Sequence, residues 1–209
     1  MKVAIDPGHG MSNRKPGLYD PGATHMENAS LYEEAAIALK YGLCLRDELR
    51  ARGVEVFMTR DDAQDHAPVG SRARNASNAH CDVLISLHLN DFDDDSANGL
   101  EVLYGSEASR TLAQQLQTRL VGASGFKNRQ IKRRDDLAVL KFNGPAALIE
   151  LGFIAHDGNR EALLNPQMRS ALCQSIAEVL LSRYASAQPQ VPIPLRAQAN
   201  AAPAWVAPA

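Results

Sequence analysis

Aromatic side chains are scarce in this chain of 209 residues, at 5% of the total, with a single tryptophan at Trp205. Charge of one sign is also missing in excess: 22 Lys and Arg face 24 Asp and Glu, for a formal net charge of −2. A nucleic-acid binder usually shows a strong basic surplus, so that class is set aside. No apolar run approaches the roughly 18 residues of a membrane span. Cysteine is limited to Cys44, Cys81 and Cys173, an odd number at wide spacing. These three are expected to be small buried hydrophobes rather than ligands or disulfides. With Lys2 leading straight into a strand-like run, no secretory signal is expected at the N-terminus. The expectation is a protein held in the cytoplasm until released to its site of action. There is no G-x-S-x-G, no GK[ST] after the first glycines and no internal repeat.

What the sequence does contain is three short apolar runs, each leading to a residue with metal or acid/base chemistry. They are Val3-Ala4-Ile5-Asp6-Pro7-Gly8-His9, Val83-Leu84-Ile85-Ser86-Leu87-His88 and Ala146-Ala147-Leu148-Ile149-Glu150. In open α/β sheets, ligands bind just outside the carboxyl ends of the strands. If the three runs share one sheet, two histidines and a carboxylate arrive at one rim, which is the raw material of a catalytic zinc site. A glutamate in so apolar a run as that ending at Glu150 is costly to bury unless paired, metal-bound or protonated.

The rest of the chain reads as alternating strands and helices. Residues 2–6, 54–58, 83–88, 100–104 and 146–151 are predicted strands; Leu100, Val102 and Tyr104 alternate as in a half-buried one. Helices are predicted over 33–52, 69–80 and 107–123, and a last one opens at Pro166. Gly53 is a natural stop for the first. The loop after His9 carries too many glycines and prolines to be regular, and its length points to function. The pattern predicts an α/β fold: one domain, residues 1–186, with a largely parallel sheet flanked by helices on both faces. From 187 to 209 the composition turns Pro/Ala-rich and reads as an extended tail.

A third metal ligand is needed beside His9 and His88. Glu33, Glu34, His25, Glu27 and Asp20 are all candidates, and spacing alone does not choose among them. Carboxylates at 33 and 34 also suit a helix N-terminus without any metal. The basic stretch Lys127, Arg129, Lys132, Arg133, Arg134 reads either as a solvated face or as the border of an acidic substrate.

Taken together, the motifs resemble the zinc-dependent N-acetylmuramoyl-L-alanine amidases of the Amidase_3 type, over about residues 2–184. Ile5-Asp6-Pro7-Gly8-His9-Gly10 looks like the opening strand and first ligand of that family, and Asp20-Pro21-Gly22-Ala23 like its next element. Arg72, Asp82, Ser86 and His88 follow R-x9-D-x3-S-x-H, and His88-Leu89-Asn90 is similar to H-x-N. Gly99 to Tyr104 is similar to G-x-E-x-x-Y, and Pro145 to Phe153 to the strand bearing the catalytic glutamate. Counting back from Gly53-Val54-Glu55-Val56 puts the family's glutamate ligand on Glu34. An insertion, Met11 to Leu18, and the acidic run Asp91 to Asp95 depart from the family pattern. The run is expected to be a solvated loop.

The resemblance implies one Zn²⁺ held by His9, Glu34 and His88, with Glu150 as catalytic base. It implies hydrolysis of the amide between N-acetylmuramic acid and L-alanine in peptidoglycan, by a monomer, in the setting of a phage or prophage endolysin. The alternatives are a bacterial wall-remodelling amidase, a zinc peptidase or deacylase, and a wall-binding module without turnover.

Overall fold

The computed structural model describes residues 1–92 and 96–187. Its centre is a six-stranded sheet built from β1 (Lys2–Pro7), β6 (Glu55–Met58), β7 (Val83–Asn90), β8 (Leu100–Tyr104), β9 (Asn128–Arg133) and β10 (Ala146–Phe153), in the order β6-β1-β7-β10-β8-β9. β6, β1, β7 and β10 run parallel; β8 is antiparallel to β10, and β9 is parallel to β8. The sheet is therefore mixed and mostly parallel. Between β1 and the first helix lie two small ribbons, β2 (Gly10–Met11) with β3 (Tyr19–Asp20), and β4 (Thr24–Glu27) with β5 (Ser30–Glu33).

The strands are apolar on both faces because both faces are covered. Val3, Ile5, Ile85, Leu87, Val102 and Ile149 point into a core made with α1 (Glu34–Ala51), α3 (Glu107–Ser124), α4 (Asp157–Leu164) and α5 (Pro166–Ala187). The intervening residues Ala4, Leu84, Leu103 and Leu148 pack on the other side against Ala76 of α2 (Arg72–Asn78) and the short 3₁₀ turn Ala138–Lys141. Helix α1 buries Ile37, Tyr41, Leu45 and Leu49, one residue every four, as one apolar stripe. It ends as expected at Gly53, whose φ of +75° an L side chain rarely adopts.

Several expectations are corrected. β8 is buried along its whole length, not half-buried, because it lies between β10 and β9. The polar run 126–136 contains β9, an edge strand that is mostly exposed and so lacks an apolar signature. The glycine-rich loop after His9 holds the two small ribbons. Helix α4 had no expectation at all, and α2 is shorter than 69–80. Of the acidic run, Asp91 and Phe92 are exposed, while Asp93 to Asp95 lie outside the described residues. Helix α5 continues to Ala187, and the Pro/Ala-rich tail beyond it also lies outside them. Among the described residues, no helix is long and apolar enough to cross a membrane.

Candidate metal centre

The strand register decides which residues face one another. Glu150 lies beside His88 of β7 on one side and beside Glu101 of β8 on the other. Asp6 lies beside Ser86, two residues before His88 on β7. Asp6, His88 and Glu150 lie in the carboxyl-terminal halves of their parallel strands, with Glu101 at the matching level of β8.

His9 follows β1 in a left-handed backbone conformation, φ 60°, and its ring meets that of His88 edge-on with centroids 5.0 Å apart. Glu34, the first residue of α1, comes between them. Its Oε2 is 3.0 Å from His9 Nε2 and its Oε1 is 2.8 Å from His88 Nδ1. One ligand atom from each of the three residues lies within 4.8 Å of the others. The Glu34 carboxylate also accepts hydrogen bonds from the backbone N–H of Ala23 at 2.8 Å and of Leu89 at 3.0 Å. Burial pushes Glu34 up, but the hydrogen bonds from His88 and His9 outweigh it and hold the carboxyl well below its usual range. Burial pushes His88 down, and the Glu34 hydrogen bond and charge more than reverse that.

Two imidazoles and one ionised carboxylate gathered at a rim could hold a metal ion, and the donor set is of a kind that zinc accepts. The close packing around them fits the same reading. A side chain at Gly8 would put its first carbon 2.3 Å from the His88 ring, and one at Gly22 would put it 2.5 Å from Glu34 Oε2. The backbone must therefore approach these rings and this carboxylate with nothing in the way.

The structure separates the open candidates for the third ligand. Asp20 sits behind His9: its Oδ2 is 3.1 Å from His9 Nδ1 and also accepts from Asn13 Nδ2 at 2.6 Å. Burial raises Asp20, and hydrogen bonds from Asn13, Gly22 and His9 lower it further than burial raises it. A proton on His9 Nδ1, facing Asp20, would leave Nε2 free to bind a metal in place of its hydrogen bond to Glu34. Glu33 is outside the cluster and hydrogen-bonds with Tyr19. Glu27 pairs with the buried Arg160 at 2.8 Å. His25 stays in the β4–β5 ribbon.

Two buried arginines hold the loop that carries His9. Arg72 pairs with Asp6 at 2.8 Å and donates to the carbonyls of Pro7 and His9. Arg60 donates to the carbonyls of Pro7, Gly8 and Ala35, tying the same loop to α1. Asp6 in turn accepts from Ser86 Oγ and Thr59 Oγ1, each at 2.6 Å. The sequence motifs containing Arg72 and Ser86 gave both residues a place in the pattern but not this task; Arg60 carried no signal beyond its motif.

Glu150 faces the same space. Its Oε2 is buried with no hydrogen-bond partner among the described residues. Burial pushes the Glu150 carboxyl up to about 7; the positive charge of His88 opposes this, and the charges of Glu34 and Glu101 add to it. A cavity of about 270 Å³ opens beside it, lined by His9, His88, Arg134 and the apolar Leu103, Val139 and Leu148. A more polar depression of about 390 Å³ continues past Glu34, Asp20 and Asn90. A wider groove of about 860 Å³ between α3 and α5 lies away from these residues.

The basic stretch divides its work. Arg129 and Lys132 bond Glu101 at 2.8 and 2.6 Å, which fastens β9 to β8. Arg133 pairs with exposed Asp135 at 3.6 Å. Arg134 holds Asp136 through two hydrogen bonds and reaches the cavity wall. Arg14, from the insertion after His9, is 3.3 Å from Asp20 and lines both depressions.

The chain is thus an α/β domain with a possible His-Glu-His metal site and a buried glutamate beside it on the sheet. Comparison with known proteins makes that specific. Residues 3–182 match the Amidase_3 model, described as N-acetylmuramoyl-L-alanine amidase, and the chain belongs to that family. It is 27% identical over 185 residues to the probable cell wall amidase LytH of Staphylococcus epidermidis, covering 88% of this chain and 58% of that protein. The chain thus spans little more than half the length of that curated relative. Among solved structures it is similar to an N-acetylmuramoyl-L-alanine amidase from Clostridium difficile 630, at 30% identity and a TM-score of 0.79, covering 90% of this chain and 98% of that one. The catalytic domain of CwlV from Bacillus (Paenibacillus) polymyxa shares the fold at a TM-score of 0.78 and 24% identity, over 90% of this chain and 99% of that one.

Proposed function

We propose that this chain is a zinc-dependent hydrolase that cuts the amide between N-acetylmuramic acid and L-alanine in peptidoglycan, releasing the stem peptide from the glycan. The observation that carries the reading is the pairing of the His9-Glu34-His88 cluster with Glu150, across one strand register, in a member of the amidase family. His9, Glu34 and His88 would hold one zinc ion. When bound, zinc polarises a scissile carbonyl and makes a nearby water acidic enough to attack at neutral pH.

The remaining steps belong to the chain's own residues. Glu150 takes the proton of the attacking water and then delivers it to the departing alanine nitrogen. A carboxyl held up at about 7 suits both halves of that transfer. Its unpartnered oxygen is free for the purpose. Asp20 keeps His9 in the tautomer that presents Nε2. The apolar wall at Leu103, Val139 and Leu148 excludes water from one side of the reacting amide.

The test is digestion of purified peptidoglycan by wild type, Glu150→Ala and metal-stripped protein, with the released ends identified by mass spectrometry. Stem peptides beginning with free L-alanine, lost in both controls and restored by zinc, support the reading. Cleavage within the peptide would replace it with a zinc peptidase. Binding without turnover by the metal-loaded protein would replace it with a wall-binding module.

The proposed setting is lysis of a host wall by a phage or prophage endolysin; wall remodelling by a bacterium is the alternative, and bacterial relatives named as probable cell wall amidases favour that alternative. Transcript levels after prophage induction distinguish them: a sharp rise supports the first, and steady expression in growing cells the second.

A further inference from the structure

Cys44 of α1 and Cys173 of α5 meet where the two helices pack. Each sulfur reaches across to the opposite backbone. Cys173 Sγ lies 3.5 Å from the carbonyl oxygen of Tyr41, and Cys44 Sγ lies 4.0 Å from that of Arg169. Each of those carbonyls is about one turn before the opposing cysteine, so the side chains pass side by side, close enough for each thiol to shift the other's ionisation. Helix axes at the usual distance of about 8–10 Å bring facing Cα atoms to roughly 5 Å, a separation a disulfide spans. Cys81 is on the far side of the sheet, in the cluster around Ala76 and Phe142, and takes no part.

We infer that Cys44 and Cys173 are a thiol pair which low-molecular-weight disulfides, such as oxidised glutathione, convert to a covalent tether between α1 and α5. The sequence had suggested three inert thiols; the packing of α1 on α5 makes two of them partners. They are not equivalent. Cys44 is half-buried and open to an attacking reagent, whereas Cys173 is 1% exposed. The neighbouring Cys173 lowers the Cys44 thiol, burial opposes this, and the Arg169 charge assists it. The neighbouring Cys44 and burial raise Cys173. Cys44 is therefore the nucleophile and Cys173 the resolving thiol.

The exchange balances. The Cys44 thiolate attacks one sulfur of the reagent disulfide, forming a mixed disulfide and expelling one reagent thiolate. Cys173, deprotonated in its turn, attacks the Cys44 sulfur and expels the second. Two protein thiols are oxidised, one reagent disulfide is reduced to two thiols, and the two protons leave with them. The bond closes a loop from 44 to 173 that contains His88 and Glu150, and it tethers the helix that begins with Glu34. It restrains unfolding and lies apart from the metal cluster, so turnover at ordinary temperature is left unchanged.

The experiment treats the full-length, zinc-loaded protein with oxidised glutathione under native conditions. Free thiols are then counted after denaturation, and a digest is mapped without reductant. The expected result is loss of two thiols per chain, retention of Cys81, and a Cys44 peptide joined to a Cys173 peptide. The thermal midpoint should rise by roughly 5–15 °C and return on addition of dithiothreitol. In Cys173→Ala the reaction should stop at a single glutathione adduct on Cys44. Should that variant fail to fold, the wild-type map decides by itself. Three surviving thiols, an adduct on wild-type Cys44 that never resolves, or a link through Cys81 would each overturn the inference.

Discussion

Glu150 stands directly opposite Glu101 in the antiparallel ladder between β10 and β8, and the two carboxyls live in different surroundings. Like charges facing across a ladder repel. Glu101 is neutralised by Arg129 and Lys132 and accepts from Asn90 Nδ2 at 3.2 Å. Glu150 has no such partner on Oε2, and burial pushes its carboxyl up to about 7.

Glu150→Gln should therefore lower kcat by roughly 10²–10⁴-fold, the usual contribution of a positioned base, while leaving zinc stoichiometry unchanged. In metal-stripped protein the same substitution has a pH signature. A carboxyl raised by folding binds its proton more tightly in the native state, so its contribution to stability is present at low pH and is lost as pH rises through about 7. The thermal midpoint of apo wild type should fall relative to that of apo Glu150→Gln as pH is taken from about 5 to about 8. Parallel melting curves across that range would remove the pKa argument.

Asp20→Ala should weaken zinc binding by about 10–100-fold, because it removes the group that orients His9. Competition with a chromophoric chelator measures this directly. An unchanged affinity would mean that Asn13 and the loop alone hold the ring.

Chelation should abolish activity, and zinc should restore it. His88→Ala and Glu34→Ala should each lose both metal and activity, whereas Glu33→Ala should retain both. The contrast between the two adjacent glutamates is read by metal analysis of the purified variants.

The Asp6–Arg72 pair makes a prediction about acid stability. Burial raises Asp6, but Arg72, Ser86 and Thr59 together bring it down from 3.8 to about 2. A carboxyl lowered by folding contributes stability above its unfolded pKa, and that contribution is lost as pH falls through its folded value. The wild type should lose this contribution between about pH 4 and pH 2. Asp6→Asn should lack it throughout and cost roughly 3–5 kcal/mol at neutral pH, since Arg72 is left buried without its counter-charge. Denaturant titrations at several pH values test both statements.

Gly22→Ala should impair metal binding more than stability. Its added carbon would meet Glu34 and His9 rather than the core, at a backbone φ of +70° that resists any side chain. Comparing zinc affinity with the unfolding midpoint of the same variant separates the two effects.

Much of the fold was legible because burial on both faces of a sheet writes itself as continuous apolar runs, as in Val83 to Leu87 and Ala146 to Ile149. The four-residue spacing of Ile37, Tyr41, Leu45 and Leu49 announced α1 in the same way. β9 was hidden because an edge strand holding Arg129 and Lys132 looks like any solvated basic stretch. Glu101 held a place in a motif, but its pairing was hidden because the cations that bury it come from a different strand.

The sequence by itself determined that His9 follows one apolar strand and that His88 and Glu150 lie on two others, since local patterning controls which residues enter the core. The family resemblance pointed to Glu34, but only the tertiary structure brought its carboxylate to both histidines, set Asp20 behind His9, and turned Cys44 toward Cys173. Those pairings depend on helix rotation, strand register and packing between segments far apart in the chain. No short window of sequence contains that information.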